Sequence, residues 1–228
     1  MERWIGRLAV VTGTSSGIGA EVAKQLVKKG LNVVGLARRV ERVEALAKSL
    51  NSEKGKLHAF KCDVSKEEEV KKVFKWTKEN LGSIDILINN AAVGPNCTTI
   101  DGPIQKWKDI LDINVLGLSI CTKEAVNIMK EKGIDDGHII HINRIGGEPV
   151  VENHVMYSAS KHSVRVLTEG LRRELIKQNS KIRVTSISPG LVRTEMPPQE
   201  MIDNLPILEC KDIADVIMFV LGTPPHVQ

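Results

Sequence analysis

Short runs of apolar residues alternate along this chain with longer stretches in which apolar positions recur every three or four residues. The short runs are Arg7 to Thr12, Asn32 to Arg38, Leu57 to Cys62, Ile84 to Asn89, His138 to Ile142 and Arg183 to Ser188. They predict strands covered on both faces, since nothing polar alternates through them. The periodic stretches predict helices over Gly17 to Lys29, Val40 to Leu50, Lys66 to Asn80, Pro103 to Lys132, Tyr157 to Gln178 and Lys211 to Leu221. Regular strand–helix alternation predicts an α/β architecture, a doubly wound parallel sheet with helices on both faces. Ligands then bind at the carboxyl ends of the strands, where the winding reverses. No repeat, low-complexity tract or linker divides the chain. With 228 residues and 42% hydrophobic content, it is expected to form one domain over residues 1–228.

Composition narrows the function. No stretch of 18 apolar residues is present, and Met1 to Gly6 leads directly into the first strand, so neither a spanning helix nor a signal peptide is expected. Cys62, Cys97, Cys121 and Cys210 stand singly, without zinc spacing, as expected of thiols in a reducing cytoplasm. The formal charge of +4 comes from lysines spread over helical faces such as Lys66 to Lys78, and aromatics make up only 3%, so nucleic acid is not an expected partner. His138 and His141 lie three apart on a strand and point to opposite faces, and with His154 and His162 they give no expected metal site.

The chemistry begins at Thr12 to Gly19, TGTSSGIG, between the first strand and the first helix. Glycines at a strand-to-helix turn let the backbone approach a phosphate, which the unpaired N–H groups and positive dipole end of the helix then hold. Gly13, Ser15, Ser16, Gly17, Ile18 and Gly19 are the candidates, with a simple turn as the alternative. About twenty residues on, an acidic side chain would take the ribose hydroxyls of a dinucleotide. Here that position is Ala37, followed by Arg38 and Arg39, whose guanidinium groups suit a 2′-phosphate and predict NADP(H) over NAD(H), with arginines that merely face solvent on a loop as the alternative. Tyr157 and Lys161 are four apart and share a helix face, so the ammonium is expected to stabilise the phenolate and lower the tyrosine pKa from about 10. A solvent-facing pair is the alternative, although Tyr157 is the chain's only tyrosine.

Taken in order, TGTSSGIG, Asn89-Asn90-Ala91-Ala92, Asn114 and Tyr157-Ser158-Ala159-Ser160-Lys161 resemble the motifs of the short-chain dehydrogenase/reductase family, over nearly the whole chain. Val33 to Leu46 and Thr223 to Gln228 resemble its insect farnesol-dehydrogenase-like branch. The resemblance implies a single-domain Rossmann-type sheet of order 3-2-1-4-5-6-7. Six strands are evident, and Pro224-Pro225-His226-Val227-Gln228 leaves no seventh. It implies that Asp63 and Val64 meet the adenine, with a turn or capping role for Asp63 as the alternative. Asn90 and Ala91 would form the cofactor floor, Asn114 would kink its helix and hold a relay water, and Pro189, Gly190, Val192 and Thr194 would clasp the nicotinamide carboxamide. Tyr157 would exchange a proton with an alcohol or carbonyl, Lys161 would also orient the ribose, and the chain would be a cytoplasmic homodimer acting on an isoprenoid or other apolar alcohol.

Two positions depart from the family pattern. Ala92 replaces a glycine, which strains only if the backbone there has positive φ. Arg144, thirteen residues before the tyrosine, replaces the serine that holds the substrate oxygen, and no serine lies between Gly137 and Val155. Losing such a donor costs about a hundred- to a thousandfold in rate. A cofactor-binding pseudoenzyme is therefore the alternative to an active oxidoreductase.

Overall fold

All six predicted strands form and pair in parallel: β1 (Leu8–Thr12), β2 (Asn32–Ala37), β3 (Lys56–Lys61), β4 (Ile86–Asn89), β5 (His138–Ile142) and β6 (Arg183–Ile187). The computed structural model describes residues 1–145, 150 and 152–227. The sheet order is β3-β2-β1-β4-β5-β6, and among the described residues no strand pairs beyond β6. Order reverses between β1 and β4, so the crevice at their carboxyl ends is where a ligand is expected.

The pleat divides the core between the two faces. Ala9 and Val11 of β1 face one way, packing with Val22, Leu26 and Ile217, whereas Leu8 and Val10 face Phe74, Cys121 and Met129. The first layer is built by α1 (Gly17–Lys28), α2 (Val40–Ser49) and the last helix, Cys210–Gly222; the second by α3 (Glu67–Leu81), α5 (Leu118–Glu131) and α6 (Val155–Lys177). Between β6 and α8 (Cys210–Gly222) runs the segment 188–209, with the short helix α7 (Gln199–Asn204), which the sequence pattern did not indicate.

The helix predicted over Pro103 to Lys132 is not continuous. It divides into α4 (Ile104–Leu111), a π-helical turn (Asp112–Gly117) and α5. The wider turn directs Asn114 inward, where its side chain bonds the backbone of Val93. Gly117 then passes the Val64 carbonyl so closely that a Cβ there would lie 2.7 Å from its oxygen. No helix among the described residues is long and apolar enough to cross a membrane, and all four cysteines are free thiols.

Candidate active site

At the β1–α1 turn, Gly13 and Gly17 take φ of +71° and +59°, and a Cβ on Gly19 would lie 2.4 Å from the Gly13 carbonyl oxygen. Only glycine fits these approaches. Ser16, the residue before α1, is extended and its side chain does not cap the helix. Among the described residues no side chain caps the first-turn amides, which is the donor arrangement an anion requires. Ile18 turns the other way and packs against the core. The crevice floor is tied to β1 by Thr12, whose Oγ1 accepts from the Asn90 and Ala91 amides at 2.9 Å each. The Asn90 side chain donates to the carbonyls of Thr12 and Gly13. Ala92 does not have positive φ, so its methyl group introduces no strain. Cradle, floor and unclaimed donors fit a dinucleotide.

Beyond the floor, α6 brings Tyr157 and Lys161 to the end of β5. The Tyr157 ring lies against Gly94, where a Cβ would come within 3.0 Å of Cδ2. Lys161 is 4% exposed, and its Nζ donates to the Ile142 carbonyl at 2.9 Å while lying 5.8 Å from the Tyr157 ring centre. Asn114 donates to the Val93 carbonyl and the Ser160 hydroxyl and accepts from the Val93 amide. Both of its side-chain N–H protons are therefore committed to holding the β4 loop and α6 in register. A water at Asn114 would be held through an oxygen atom.

Arg144 stands half-buried where β5 ends, its guanidinium carbon 5.8 Å from the Tyr157 ring centre. No ion pair among the described residues includes Arg144 or Lys161. Burial, aided by the Arg144 charge, pulls the Lys161 ammonium down to about 8. Burial moves the Tyr157 phenol above its ordinary value, and Arg144 opposes that shift. This corrects the expectation that Lys161 lowers the tyrosine pKa. In this state desolvation wins, and the cation opposing it is Arg144. Of the other polar groups considered, Asn143 has a buried side-chain oxygen with no partner among the described residues, and Ser158 is buried on α6. His141 bonds Thr122 and Thr168, His138 bonds Thr185, and burial holds them neutral, at about 4 and 3. Among the described residues no group of three or more His, Cys, Asp or Glu could hold a metal.

The adenosine end is less simple than two free arginines. Arg38 is exposed and takes part in no ion pair among the described residues. Arg39 donates to the Ser15 and Ser16 hydroxyls and pairs with Glu195, which also pairs with Arg42. Sequence reasoning missed Arg42 and Glu195. Arg42 follows Arg39 by three residues, a spacing that puts both on one helical face, whereas nothing local marks Glu195. Asp63 accepts from the Ser65 amide and hydroxyl, the turn role, and Val64 is buried against the π turn. Pro189 and Gly190 lie beside Ile145, the Pro189 carbonyl accepting its amide; Val192 bridges Leu208, and Thr194 rests on Gly17.

A dinucleotide crevice at the switch point of a Rossmann-type sheet, with a tyrosine and lysine at its far end, defines an oxidoreductase class. The family described as short chain dehydrogenase matches residues 7–204, and the chain belongs to that family. It is 49% identical over 235 aligned positions to a farnesol dehydrogenase of Aedes aegypti, covering all of this chain and 95% of that one. It is 46% identical over 242 positions to dehydrogenase/reductase SDR family member 11 of Mus musculus, covering all of this chain and 93% of that one. A solved serine dehydrogenase, in a closed form complexed with NADP+, superposes with a TM-score of 0.87 at 26% identity, covering 96% of this chain and 91% of that one.

Proposed function

We propose that this protein is an NADP(H)-dependent oxidoreductase that interconverts an alcohol and its carbonyl compound. One observation carries the reading: Tyr157 and Lys161 share the α6 face at the end of β5, with Lys161 fixed on the Ile142 carbonyl and the phenol against Gly94. The bound nicotinamide supplies or accepts the hydride. Gly13, Ser15, Ser16, Gly17 and Gly19 hold the pyrophosphate, and Arg38 and Arg39 the 2′-phosphate. Asp63 and Val64 flank the adenine; Asn90, Ala91, Pro189, Gly190, Val192 and Thr194 seat the nicotinamide ribose and carboxamide. In reduction the Tyr157 hydroxyl gives its proton to the carbonyl oxygen, and Lys161 stabilises the phenolate left behind. Asn114 positions α6 through Ser160.

The farnesol dehydrogenase relative supports an isoprenoid or other apolar alcohol as substrate. The buried thiols support a cytoplasmic setting. Exposed Ile104, Leu116 and Val166 on the α4 to α6 side support a homodimer, which sedimentation at micromolar concentration tests. The pseudoenzyme alternative draws on Arg144, which stands where a neutral donor is expected. The deciding experiment follows NADPH oxidation against carbonyls that include farnesal. Turnover that falls by about a hundred- to ten-thousandfold in Tyr157→Phe supports the enzyme. Cofactor binding without turnover of any carbonyl supports the pseudoenzyme.

A further inference from the structure

We propose that Glu195 occupies the seat of the cofactor's 2′-phosphate. NADP(H) must then displace a carboxylate before the arginines can grip the adenosine end, and NAD(H) need not. The inference rests on the NADP(H) reading above and adds to it a residue that sets cofactor discrimination.

The geometry is that of a surrogate anion. Glu195 divides its carboxylate between two guanidinium groups, Oε2 lying 2.9 Å from Arg39 Nη1 and Oε1 2.6 Å from Arg42 Nη1. Both arginines sit where β2 turns into α2, the place from which a phosphate on the adenosine ribose would be held. Glu195 arrives there from the far side of the crevice, 153 residues from Arg42 along the chain. The other terminal nitrogen of Arg39 reaches Ser16 Oγ at 3.1 Å and Ser15 Oγ at 3.3 Å, so one guanidinium joins the glycine loop to Glu195. Thr194, the preceding residue, rests on the same loop: a Cβ on Gly17 would lie 3.1 Å from its Cγ2. Residues 194–195 therefore bridge the crevice mouth from glycine loop to arginines. They border an open cleft of about 490 Å³ that Ser16, Lys24 and Leu46 also line.

A carboxylate and a phosphate monoester ask the same thing of a guanidinium fork, namely charge and paired acceptor oxygens. The phosphate brings close to two charges and three oxygens against one charge and two, so it wins the exchange. The exchange still weakens binding, because both Glu195 contacts are lost. Their side chains are roughly half exposed, so each contact is worth a factor of about 1.4 to 5. Arg38, exposed and outside any ion pair among the described residues, gives the incoming phosphate a first hold. NAD(H) lacks the phosphate and leaves Glu195 paired, where its carboxylate can accept from the ribose hydroxyls as an acidic residue after β2 would.

Titration calorimetry of NADP+ and NAD+ against the full chain, with Glu195→Gln and Glu44→Gln, tests this. Glu44 is exposed on α2, outside any ion pair among the described residues, and its variant controls for the general removal of negative charge. Glu195→Gln is expected to bind NADP+ about three- to tenfold more tightly, from the two contacts released. NAD+ affinity should change by less than about twofold or weaken, and Glu44→Gln should leave both cofactors within about twofold. An equal gain in Glu44→Gln would overturn the proposal. So would unchanged or weaker NADP+ binding in Glu195→Gln while the parent prefers NADP+, an outcome that spares the cofactor reading. A parent that binds neither cofactor, or both equally, instead defeats the cofactor reading and the inference with it.

Discussion

Around the β1–β4 crevice the polar groups are neutral and bond one another: Thr12 to two backbone amides, Asn90 to two carbonyls. Around the β5–α6 floor two cations, Arg144 and Lys161, flank a half-buried phenol with no ion pair to either among the described residues. In the first region the floor is complete on folding, since the Thr12 and Asn90 dipoles are spent on holding two strands at a fixed separation, and only the first-turn amides of α1 are left for a ligand. The second keeps an electrostatic conflict. Lys161 is pulled down to about 8 and Tyr157 is pushed up, because burial penalises the charged form of each. Such a conflict is relieved by negative charge, whether a phenolate or an oxyanion developing on substrate. Shifted groups of this kind mark sites that do chemistry.

Arg144→Ser attacks the comparison at its sharpest point. The change removes one of the two cations and restores a neutral donor at the end of β5. Turnover should rise by about ten- to a thousandfold, up to the full range for one preorganised donor, while cofactor affinity changes little. Adding Tyr157→Phe should erase the gain. Steady-state NADPH oxidation measures both. No gain with cofactor bound would mean that the floor has lost more than a donor; ordinary family rates in the parent would mean that Arg144 already serves as one.

Gly19→Ala tests the other region. The new methyl would meet the Gly13 carbonyl oxygen at 2.4 Å and the Asn90 side-chain nitrogen at 2.5 Å, and the backbone oxygen cannot swing aside. Stability should drop by about 1–3 kcal/mol, as for other overpacked sites. NADP+ affinity should drop too, because the loop must shift to relieve the clash. Urea unfolding and calorimetry would register the two effects, and a variant with parent stability would contradict the tight cradle.

What could be read from the chain follows the same division. The six strands, the glycine loop and the Asn89–Ala92 floor were legible because each depends on local residue type: buried apolar runs, glycine where the backbone closes up, an asparagine with carbonyls to satisfy. The π turn at Asp112–Gly117 was not, because its helical periodicity reads the same whether or not one turn is widened. The wider turn goes with the long-range bonds between Asn114 and Val93, which no local pattern shows. The Tyr157 shift was misjudged for a related reason. Spacing shows that Lys161 is near, but not that Lys161 is buried and Tyr157 half-buried, and burial decides the sign. Glu195 lay in a segment with no local pattern, and only the fold carries it to Arg39 and Arg42.

The smallest expected effect concerns Lys161 and is read through pH. In the unfolded chain this lysine binds its proton below about 10.5, whereas in the fold it does so only below about 8. Between those values the unfolded state holds a proton that the native state lacks, so stability falls as pH is lowered from about 10.5 to about 8 and is level in this respect below that. The full cost at pH 7 is about 3 kcal/mol. Lys161→Met removes that cost but strips the Ile142 carbonyl of its donor, a loss of about 1–3 kcal/mol. The variant should therefore match the parent or exceed it by up to about 2 kcal/mol at pH 7, while losing activity. Its advantage should shrink steadily between pH 8 and 10.5. The buried histidines are common to both proteins and cancel. Urea unfolding of the pair at unit pH steps from 7 to 10 gives the difference directly, and a difference that does not vary with pH would mean Lys161 keeps an ordinary pKa and carries no stored conflict.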